Sequence, residues 1–371
     1  MSVKVLGLVN CFDNPEFGPM THHRSIASTS FLGRYAFMDM ALSNFLNSHI
    51  PSIGILCQNH IRSLTRHVGS GRAWTSNTKI GDFQILYDEP NVANPGYNTD
   101  VADLTENRWF LKQVNPDYVV IAPPYMVYEA NFDALIKDHI ASGARITMLY
   151  THATNLKRAF INTNKLLISE RGKVTKMEPN RGESEEGDVS LCTYIMDYPM
   201  LESLLEYAKG TSSFFGLADT LNYLSPSVLI RAVKHNDYVR SFDSLSHYLK
   251  FSLELLDETT FHQLFKDKWP IYTKTYDTPP VLYKHGCQVE NSYIANGSII
   301  EGTVINSVLG RGVVVKKGTV IKNAVIGSDA IIDENTHIEN AVVDKEAQVL
   351  HISEVVGTLD DPLYIARGDI V

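Results

Sequence analysis

The sequence predicts an α/β sheet domain followed by a left-handed parallel β-helix of hexapeptide repeats. Three observations lead to this fold class. The chain has 371 residues, its N-terminal part alternates between strand-like and helix-like apolar patterns, and a short repeat runs through its C-terminal part. We expect the α/β domain over residues 1–258, a linker over 259–285 and the β-helix over 286–371.

The C-terminal repeat is an Asn followed by a small residue and two apolar residues. It occurs four times, starting at Asn291, Asn306, Asn323 and Asn340. Apolar residues recur between these sites every five or six positions, at Val315, Ile321, Ile326, Ile332, Ile338, Val343 and Val349. This period is typical of hexapeptide β-helix coils, which stack to share one core. We therefore predict about four coils with these side chains inside.

A second apolar series runs beside the inward one. Its members precede inward residues by one position, and they are Tyr293, Val308, Val325 and Val342. Neighbouring strand residues point to opposite faces, so this series predicts an outward apolar stripe. Such a stripe needs a cover, supplied either by the chain itself or by a partner.

The N-terminal part alternates strands and helices, which predicts a mostly parallel sheet with helices on both faces. The expected strands lie at 3–9, 52–57, 83–87, 117–122, 145–150 and 191–196, with a hairpin over 165–177. The expected helices lie at 37–48, 61–68, 101–114, 132–140, 199–208, 214–224 and 243–257.

Composition limits the functional classes that fit the chain. The formal net charge is −9, which disfavours a general nucleic-acid binder because such proteins need clustered Lys and Arg. No run of 18 apolar residues is present, so we expect no membrane partner. The four cysteines are widely separated, which favours free thiols in a reducing, cytoplasmic setting.

Residues 21–48 carry a specific resemblance. The segment includes Arg34, Asp39, Leu42, Ser43, Asn44, Asn47 and Ser48. It resembles the start of glucose-1-phosphate adenylyltransferase, a sugar-nucleotide pyrophosphorylase. The resemblance covers nearly the whole chain and implies a Rossmann-like, GT-A-like nucleotidyltransferase domain with a mixed sheet, ahead of the β-helix.

The phosphate-binding loop of that family departs from its pattern here. A Gly-rich loop cradles a triphosphate with backbone N–H groups, but residues 9–21 contain one glycine, Gly18. Pro15 and Pro19 each remove a donor. Asp13 and Glu16 add negative charge where the resemblance puts phosphates.

Four further positions differ from the family in the same direction. Ile26 stands where the resemblance implies a phosphate-binding Lys, and Glu178 stands where it implies a sugar-phosphate Lys. Tyr125 and Ser241 occupy the two positions of metal-binding Asp residues. Nucleotidyl transfer depends on Mg²⁺ and cationic stabilisation, so each change weakens the site. We therefore predict no catalytic residues in this chain.

This degenerate site resembles the GlgD family, the non-catalytic subunit of bacterial glucose-1-phosphate adenylyltransferase. The resemblance implies a regulatory role in ADP-glucose synthesis for glycogen. It also implies assembly with a catalytic glucose-1-phosphate adenylyltransferase subunit, as a heterotetramer. We expect no cofactor in this chain, because Mg²⁺ would be used by the catalytic partner.

Two other hypotheses about the function stay open. The chain could be an active nucleotidyltransferase that makes ADP-glucose and pyrophosphate with unusual ligands, for which Asp100, Asp103 and Asp243 are the candidates. Hexapeptide β-helices also occur in acyltransferases, which use a His as base. His337 and His351 are the candidates, but alternation places His337 on the outside.

A local basic cluster defines one possible binding site. Arg62, Arg66 and Arg72 lie close together in sequence, near His67. Clustered cations favour phosphates, so the cluster could bind an anionic effector. A solvated helix face is the other interpretation.

Overall fold

The computed structural model describes residues 3–12, 15, 17–75, 81–161 and 163–371, and the chain divides into two compact units. The first unit, here the sheet unit, comprises Met1–Pro15, Met38–Ser241 and Lys268–Tyr272. The second, here the β-helix unit, comprises Glu16–Phe37, Phe242–Asp267 and Thr273–Val371. Both units are discontinuous in sequence, and the sequential boundaries at 258 and 285 stay a prediction.

The bounds of the elements are as follows. The strands are β1 (Val5–Asn10), β2 (Ser30–Phe31), β3 (Tyr35–Ala36), β4 (Ser52–Leu56), β5 (Phe83–Leu86), β6 (Tyr118–Ala122), β7 (Met126–Tyr128), β8 (Ile146–Ala153), β9 (Asn164–Ile168), β10 (Val174–Pro179), β11 (Gly187–Asp197), β12 (Ile230–Lys234), β13 (Val239–Ser241), β14 (Leu282–Tyr283), β15 (Gln288–Glu290), β16 (Tyr293–Ile294), β17 (Ile299–Ile300), β18 (Thr303–Ile305), β19 (Val308–Leu309), β20 (Val314–Val315), β21 (Val320–Lys322), β22 (Val325–Ile326), β23 (Ile331–Ile332), β24 (His337–Glu339), β25 (Ala341–Val343), β26 (Gln348–Val349), β27 (Glu354–Val356) and β28 (Leu363–Ile365). The helices are α1 (Met38–Asn47), α2 (Ile61–Val68), α3 (Asp100–Glu106), α4 (Arg108–Val114), α5 (Phe132–Ser142), α6 (Tyr198–Thr211), α7 (Leu217–Leu224), α8 (Leu245–Glu254) and α9 (Glu258–Leu264).

The sheet unit is built on one large sheet with the order β10-β9-β11-β6-β1-β4-β5, and β8 and β12 continue from β11. Strands β6, β1, β4 and β5 are parallel. The expected predominance of parallel pairing is wrong, because β11 runs antiparallel to β6, β8 and β9. The sheet is therefore mixed, as the resemblance implied, and β12 also pairs parallel with β8.

Helices cover both faces of the sheet, as predicted. Leu6 and Leu8 of β1 belong to a buried cluster that includes α4 and α6 residues such as Phe110 and Leu204. Gly7 points to the other face, where a Cβ atom would lie 2.8 Å from the Phe45 ring of α1. Successive side chains of β1 thus point to opposite faces of the sheet, and each face packs against helices. Glycine at position 7 lets α1 approach the strand closely.

The helix expected over 101–114 is two helices, α3 and α4, that meet at Asn107. The Asn107 side-chain amide donates to the Asp103 carbonyl oxygen at 2.9 Å and to its Oδ1 at 3.2 Å. An Asn amide that bonds backbone in this way competes with helix continuation. The interruption follows from this side chain.

The β-helix has three walls, and each wall contains five parallel strands in the described residues. The prediction of about four coils was therefore one short. All four repeat asparagines have positive φ values between 40° and 49°, in the left-handed region. Asn tolerates this region better than most residues. The Asn291 amide donates to Asn306 Oδ1 at 2.9 Å, and the Asn306 amide donates to Asn323 Oδ1 at 2.6 Å. The repeat marks a corner of the coil, stabilised by a ladder of amides.

The predicted inward residues are confirmed as the β-helix core. They are 0–1% exposed and pack in one cluster, and they are Val315, Ile321, Ile326, Ile332, Ile338, Val343 and Val349. The second series is also buried at Val308, Val325 and Val342. Tyr293 contacts the Phe261 ring of α9, with ring centroids 5.5 Å apart. Part of the cover therefore comes from the same unit.

Helix α9 lies in the segment expected to be a linker. Asp257 begins it, because Asp257 Oδ2 accepts from the Thr260 N–H at 2.8 Å and from the Thr260 hydroxyl at 2.9 Å. An acidic N-cap of this kind is a strong start signal. The Asp-Glu-Thr-Thr sequence therefore offered a cue for this helix.

Candidate functional site

The two positions that the resemblance assigns to metal-binding carboxylates lie at the same end of two paired strands. Tyr125 directly precedes β7 and Ser241 ends β13, and these strands pair so that Ser241 is opposite Met126. Both residues are buried, with Tyr125 7% and Ser241 1% exposed. The fold thus brings together the pair that the sequence singled out, but the pair supplies two hydroxyl groups.

The surroundings of these two hydroxyls are those of a protein interior. The Tyr125 hydroxyl lies 3.6 Å from Cys192 Sγ. Ser241 Oγ is buried without a hydrogen-bond partner among the described residues. Hard divalent cations prefer carboxylate oxygens, and neutral hydroxyls do not balance the charge of Mg²⁺. The two positions are poor replacements for the family's ligands.

Asp243, which a two-residue shift would put in the place of Ser241, is engaged elsewhere. Its carboxylate pairs with His247 Nδ1 in the first turn of α8. The Asp243 side chain is 4% exposed. The pair fastens the start of α8 within the β-helix unit.

Ile26 and its neighbour Arg24 are core residues of the β-helix unit. Ile26 is 2% exposed and belongs to a short 3₁₀ turn, Ile26–Ser28. Arg24 is 7% exposed and its guanidinium pairs with Asp344 Oδ2. The Tyr364 hydroxyl donates to the same oxygen at 2.7 Å. Burial, followed by the charge of Asp344, raises the pKa of Tyr364. Sequence reasoning missed this network, since nothing local links residues 24, 344 and 364.

Glu178, the predicted charge reversal, lies on β10 beside a lysine. Lys176 Nζ is 2.5 Å from Glu178 Oε1, and its hydrogen bond lowers the pKa of Glu178. Residues two apart on a strand share a face. A cation is therefore present on this face, but the Glu178 carboxylate neutralises it.

Asp100, a candidate ligand of the active-nucleotidyltransferase alternative, is a buried structural residue. It is 3% exposed and accepts from the Asn10 amide and from the Leu217 N–H, both at 2.8 Å. It therefore ties the end of β1 to the start of α7. The N-cap of α3 is Thr99, whose side chain accepts from the Ala102 N–H.

A cleft of about 540 Å³ opens where β1, β4 and β5 end. Phe12, Gln58 and Asp88 follow these strands and line it. Ligands of open α/β sheets bind at the carboxyl ends of parallel strands, so this is the expected place for one. The lining includes four carboxylates, Asp88, Glu89, Asp103 and Glu106, and among its described residues one basic side chain, Lys209. Sequence reasoning listed Asp103 but missed the other three.

The basic cluster is exposed. Arg62 and Arg66 lie one turn apart on α2, and Arg72 begins the 3₁₀ turn Arg72–Trp74. His67 faces inward, and its Nε2 lies 2.6 Å from Asp39 Oδ1. The three arginines are exposed, and the effector site stays a prediction.

The acyltransferase candidates do not form a cleft. The His337 side chain is 41% exposed and its Nε2 lies 3.3 Å from Glu339 Oε2, as the outward orientation predicted. His351 is exposed.

Three other findings bear on the expected chemistry. Asp13 and Glu16 of the phosphate loop lie outside the described residues, whereas Gly18 begins the 3₁₀ turn Gly18–Met20. Within the described residues, no group of three or more His, Cys, Asp or Glu side chains is arranged to hold a metal ion. The same residues include no helix with the length and apolarity needed to cross a membrane.

Two family models match the chain. Residues 16–211 match the family described as Nucleotidyl transferase, and residues 282–361 match the family described as GlmU-like, C-terminal hexapeptide. Together with the mixed sheet and the coils, these matches define the class: a nucleotidyltransferase domain joined to a left-handed β-helix.

Individual relatives narrow the class. Glycogen biosynthesis protein GlgD of Geobacillus stearothermophilus is 30% identical over 324 residues, covering 86% of this chain and 84% of the relative. The protein of the same name from Bacillus subtilis (strain 168) is 30% identical over 351 residues, covering 94% of this chain and 91% of the relative. Glucose-1-phosphate adenylyltransferase of Lachnospira eligens is 26% identical over 302 residues, covering 81% of this chain and 71% of the relative. The chain belongs to the GlgD family, within the glycogen-related nucleotidyltransferases.

Proposed function

We propose that this chain is a regulatory, catalytically degenerate subunit of glucose-1-phosphate adenylyltransferase. It acts by associating with a catalytic subunit in a heterotetramer, and it modulates the synthesis of ADP-glucose for glycogen. The chain itself uses no cofactor, and the Mg²⁺ of the reaction belongs to the catalytic partner. The setting of this assembly is the cytoplasm.

The observation that carries the proposal is that Tyr125 and Ser241 are both buried at the same end of the paired strands β7 and β13, where Ser241 is opposite Met126. In-line transfer of a nucleotidyl group builds negative charge that metal ions and cations must stabilise. Two buried neutral hydroxyls at the metal positions cannot supply that charge. Loss of one such electrostatic contact typically costs about 3–4 kcal/mol in activation free energy.

Three further features support the same proposal. Arg24 is committed to Asp344, Ile26 is a buried apolar residue, and Glu178 neutralises Lys176. The acidic cleft adds repulsion toward a triphosphate.

The alternative, an active nucleotidyltransferase with atypical ligands, needs Asp100, Asp103 or Asp243 as metal ligands. Asp100 and Asp243 already hold structural hydrogen bonds. Asp103 is the remaining candidate, and among the described residues no group of three or more His, Cys, Asp or Glu side chains is arranged to hold a metal ion with it.

Co-expression with a catalytic glucose-1-phosphate adenylyltransferase from the same cell tests the regulatory role. We expect a mixed oligomer by light scattering, and we expect kcat, KM or effector response of the catalytic subunit to change. Unchanged oligomer size and unchanged kinetics would contradict the proposal.

A further inference from the structure

The cleft at the ends of β1, β4 and β5 has the wrong charge for a phosphate ligand and a suitable one for a cation. Asp88 and Glu89 follow β5, Asp103 and Glu106 belong to α3, and Lys209 of α6 is the single basic residue in the described lining. A volume of about 540 Å³ lies within the range of small-molecule sites.

Of the four acidic side chains in the cleft, Asp103 gives the strongest evidence for a ligand. It is 4% exposed, and its Oδ1 accepts from the Asn107 amide at 3.2 Å. Its Oδ2 is buried and has no hydrogen-bond partner among the described residues. A buried carboxyl oxygen without a hydrogen-bond partner is destabilising, and a ligand that hydrogen-bonds to it would relieve the loss.

Aromatic rings complete the lining. Phe12, Tyr97 and Phe215 contribute to the same cleft. Tyr97 is held against Phe214, with ring centroids 5.0 Å apart. Aromatic faces together with carboxylates are the combination that binds organic ammonium groups, through cation–π attraction and charge-assisted hydrogen bonds.

We propose that this cleft binds an organic polycation of the polyamine class, with one ammonium group on Asp103 and the others toward Asp88, Glu89 and Glu106. The site does not depend on the regulatory role proposed above, because it concerns a ligand of this chain alone.

The protonation of Asp103 gives the site a specific signature. Burial, with repulsion from Asp88 and Asp100, raises the pKa of Asp103 to about 8. Cys11 at the end of β1 and Cys57 at the end of β4 also face it, and their own thiol pKa values are raised by burial. These thiols stay protonated near neutral pH, so Asp103 is the group that a bound cation would ionise. Binding should then release close to one proton per ligand at neutral pH.

The test is calorimetric titration of the full chain with spermidine at low salt, in two buffers of different ionisation enthalpy. We expect one saturable site and proton release near one in the wild type. Asp103→Asn should weaken binding by at least about tenfold and abolish proton release. Glu170→Gln, an exposed carboxylate in the turn between β9 and β10, is the matched control and should bind as the wild type does.

Lys209→Gln gives a prediction of opposite sign. It removes the one competing cation of the described lining, so spermidine should bind roughly threefold more tightly. The same change would weaken the binding of a triphosphate, because it removes a positive charge. If Asp103→Asn does not fold, proton release by the wild type and the Lys209→Gln response still decide the question.

Three results would overturn the inference: no saturable heat with spermidine, equal losses in Asp103→Asn and Glu170→Gln, or Mg²⁺ alone giving the same proton release and displacing spermidine. Each would leave the kinetic test of the regulatory role unaffected.

Discussion

Arg24 is held in a buried ion pair by Asp344, 320 positions later in the chain. The two side chains are 9% and 3% exposed, and Tyr364 donates to the same carboxylate. Arg24 thus has a structural role within the β-helix unit. It links the segment 17–37 to the coils.

Removing one partner of this pair should destabilise the β-helix unit strongly. Asp344→Asn leaves the guanidinium buried without a counter-charge, which typically costs about 3–5 kcal/mol. Lys250→Ala is the control, because Lys250 pairs with Asp360, whose side chain is 72% exposed. Exposed pairs contribute at most about 1 kcal/mol. Denaturant unfolding of both variants checks this, and equal losses would contradict the structural role of Arg24.

The amide ladder at the coil corner should contribute measurably to stability. Asn306 has a φ of 46°, donates to Asn323 and accepts from Asn291. Asn306→Ala loses the ladder and strains the backbone, whereas Asn306→Gly loses the ladder alone. We expect Ala to be the more destabilising by about 1 kcal/mol, measured by chemical denaturation. If Asn306→Gly is as destabilising as Asn306→Ala, or more so, the positive φ at position 306 does not contribute to the loss.

Stability should fall as pH rises through the interval set by Asp103. Its pKa is raised from 3.8 to about 8, so between these values the unfolded chain has lost a proton that the folded chain keeps. The unfolded state binds fewer protons there, and the free energy of unfolding must decrease with pH. Above the pKa of Asp103 in the folded chain, the free energy of unfolding no longer decreases because of this group.

Asp103→Asn isolates this contribution. It keeps the shape of the side chain and removes the ionisation, so its unfolding free energy should fall less steeply with pH between about pH 4 and 8. At the upper end the variant should be the more stable by a few kcal/mol, on the order expected for a shift of this size. Parallel pH profiles for variant and wild type would show that Asp103 does not titrate as described.

The arginine cluster should act on regulation and not on assembly. Arg66→Ala combined with Arg72→Ala removes two exposed cations and should leave the mixed oligomer intact. Inorganic phosphate is the probe. We expect it to alter the kinetics of the wild-type complex more than those of the variant complex, because clustered guanidinium groups favour phosphate. An unchanged phosphate response would end the effector-site interpretation.

The sequence was most informative where local chemistry decides the structure. The period of the β-helix identified its core from Val315 to Val349, because each coil repeats the same local demand. The strands and helices around β1 were also found, since their apolar patterns are strong. Asn107 and Asp257, which divide or begin helices, were missed although their side chains act locally.

The sequence was least informative about contacts between distant segments. No local pattern connects Arg24 with Asp344, or places Asp88 and Glu106 around one cleft. The antiparallel placement of β11 also depends on pairing across the whole sheet. These features arise from tertiary packing. The candidate site was singled out only through position-by-position resemblance, and the fold places Ser241 opposite Met126, the residue after Tyr125.

Pyrophosphate release from a complex with a disabled partner tests the central claim most directly. The catalytic glucose-1-phosphate adenylyltransferase subunit would carry Asn in place of its metal-binding Asp residues, and the mixed oligomer would receive Mg²⁺, ATP and glucose 1-phosphate. We predict no pyrophosphate above background from this complex and full activity from the complex with the wild-type partner. Turnover that persists with the disabled partner and rises with the amount of this chain would show that its site is active.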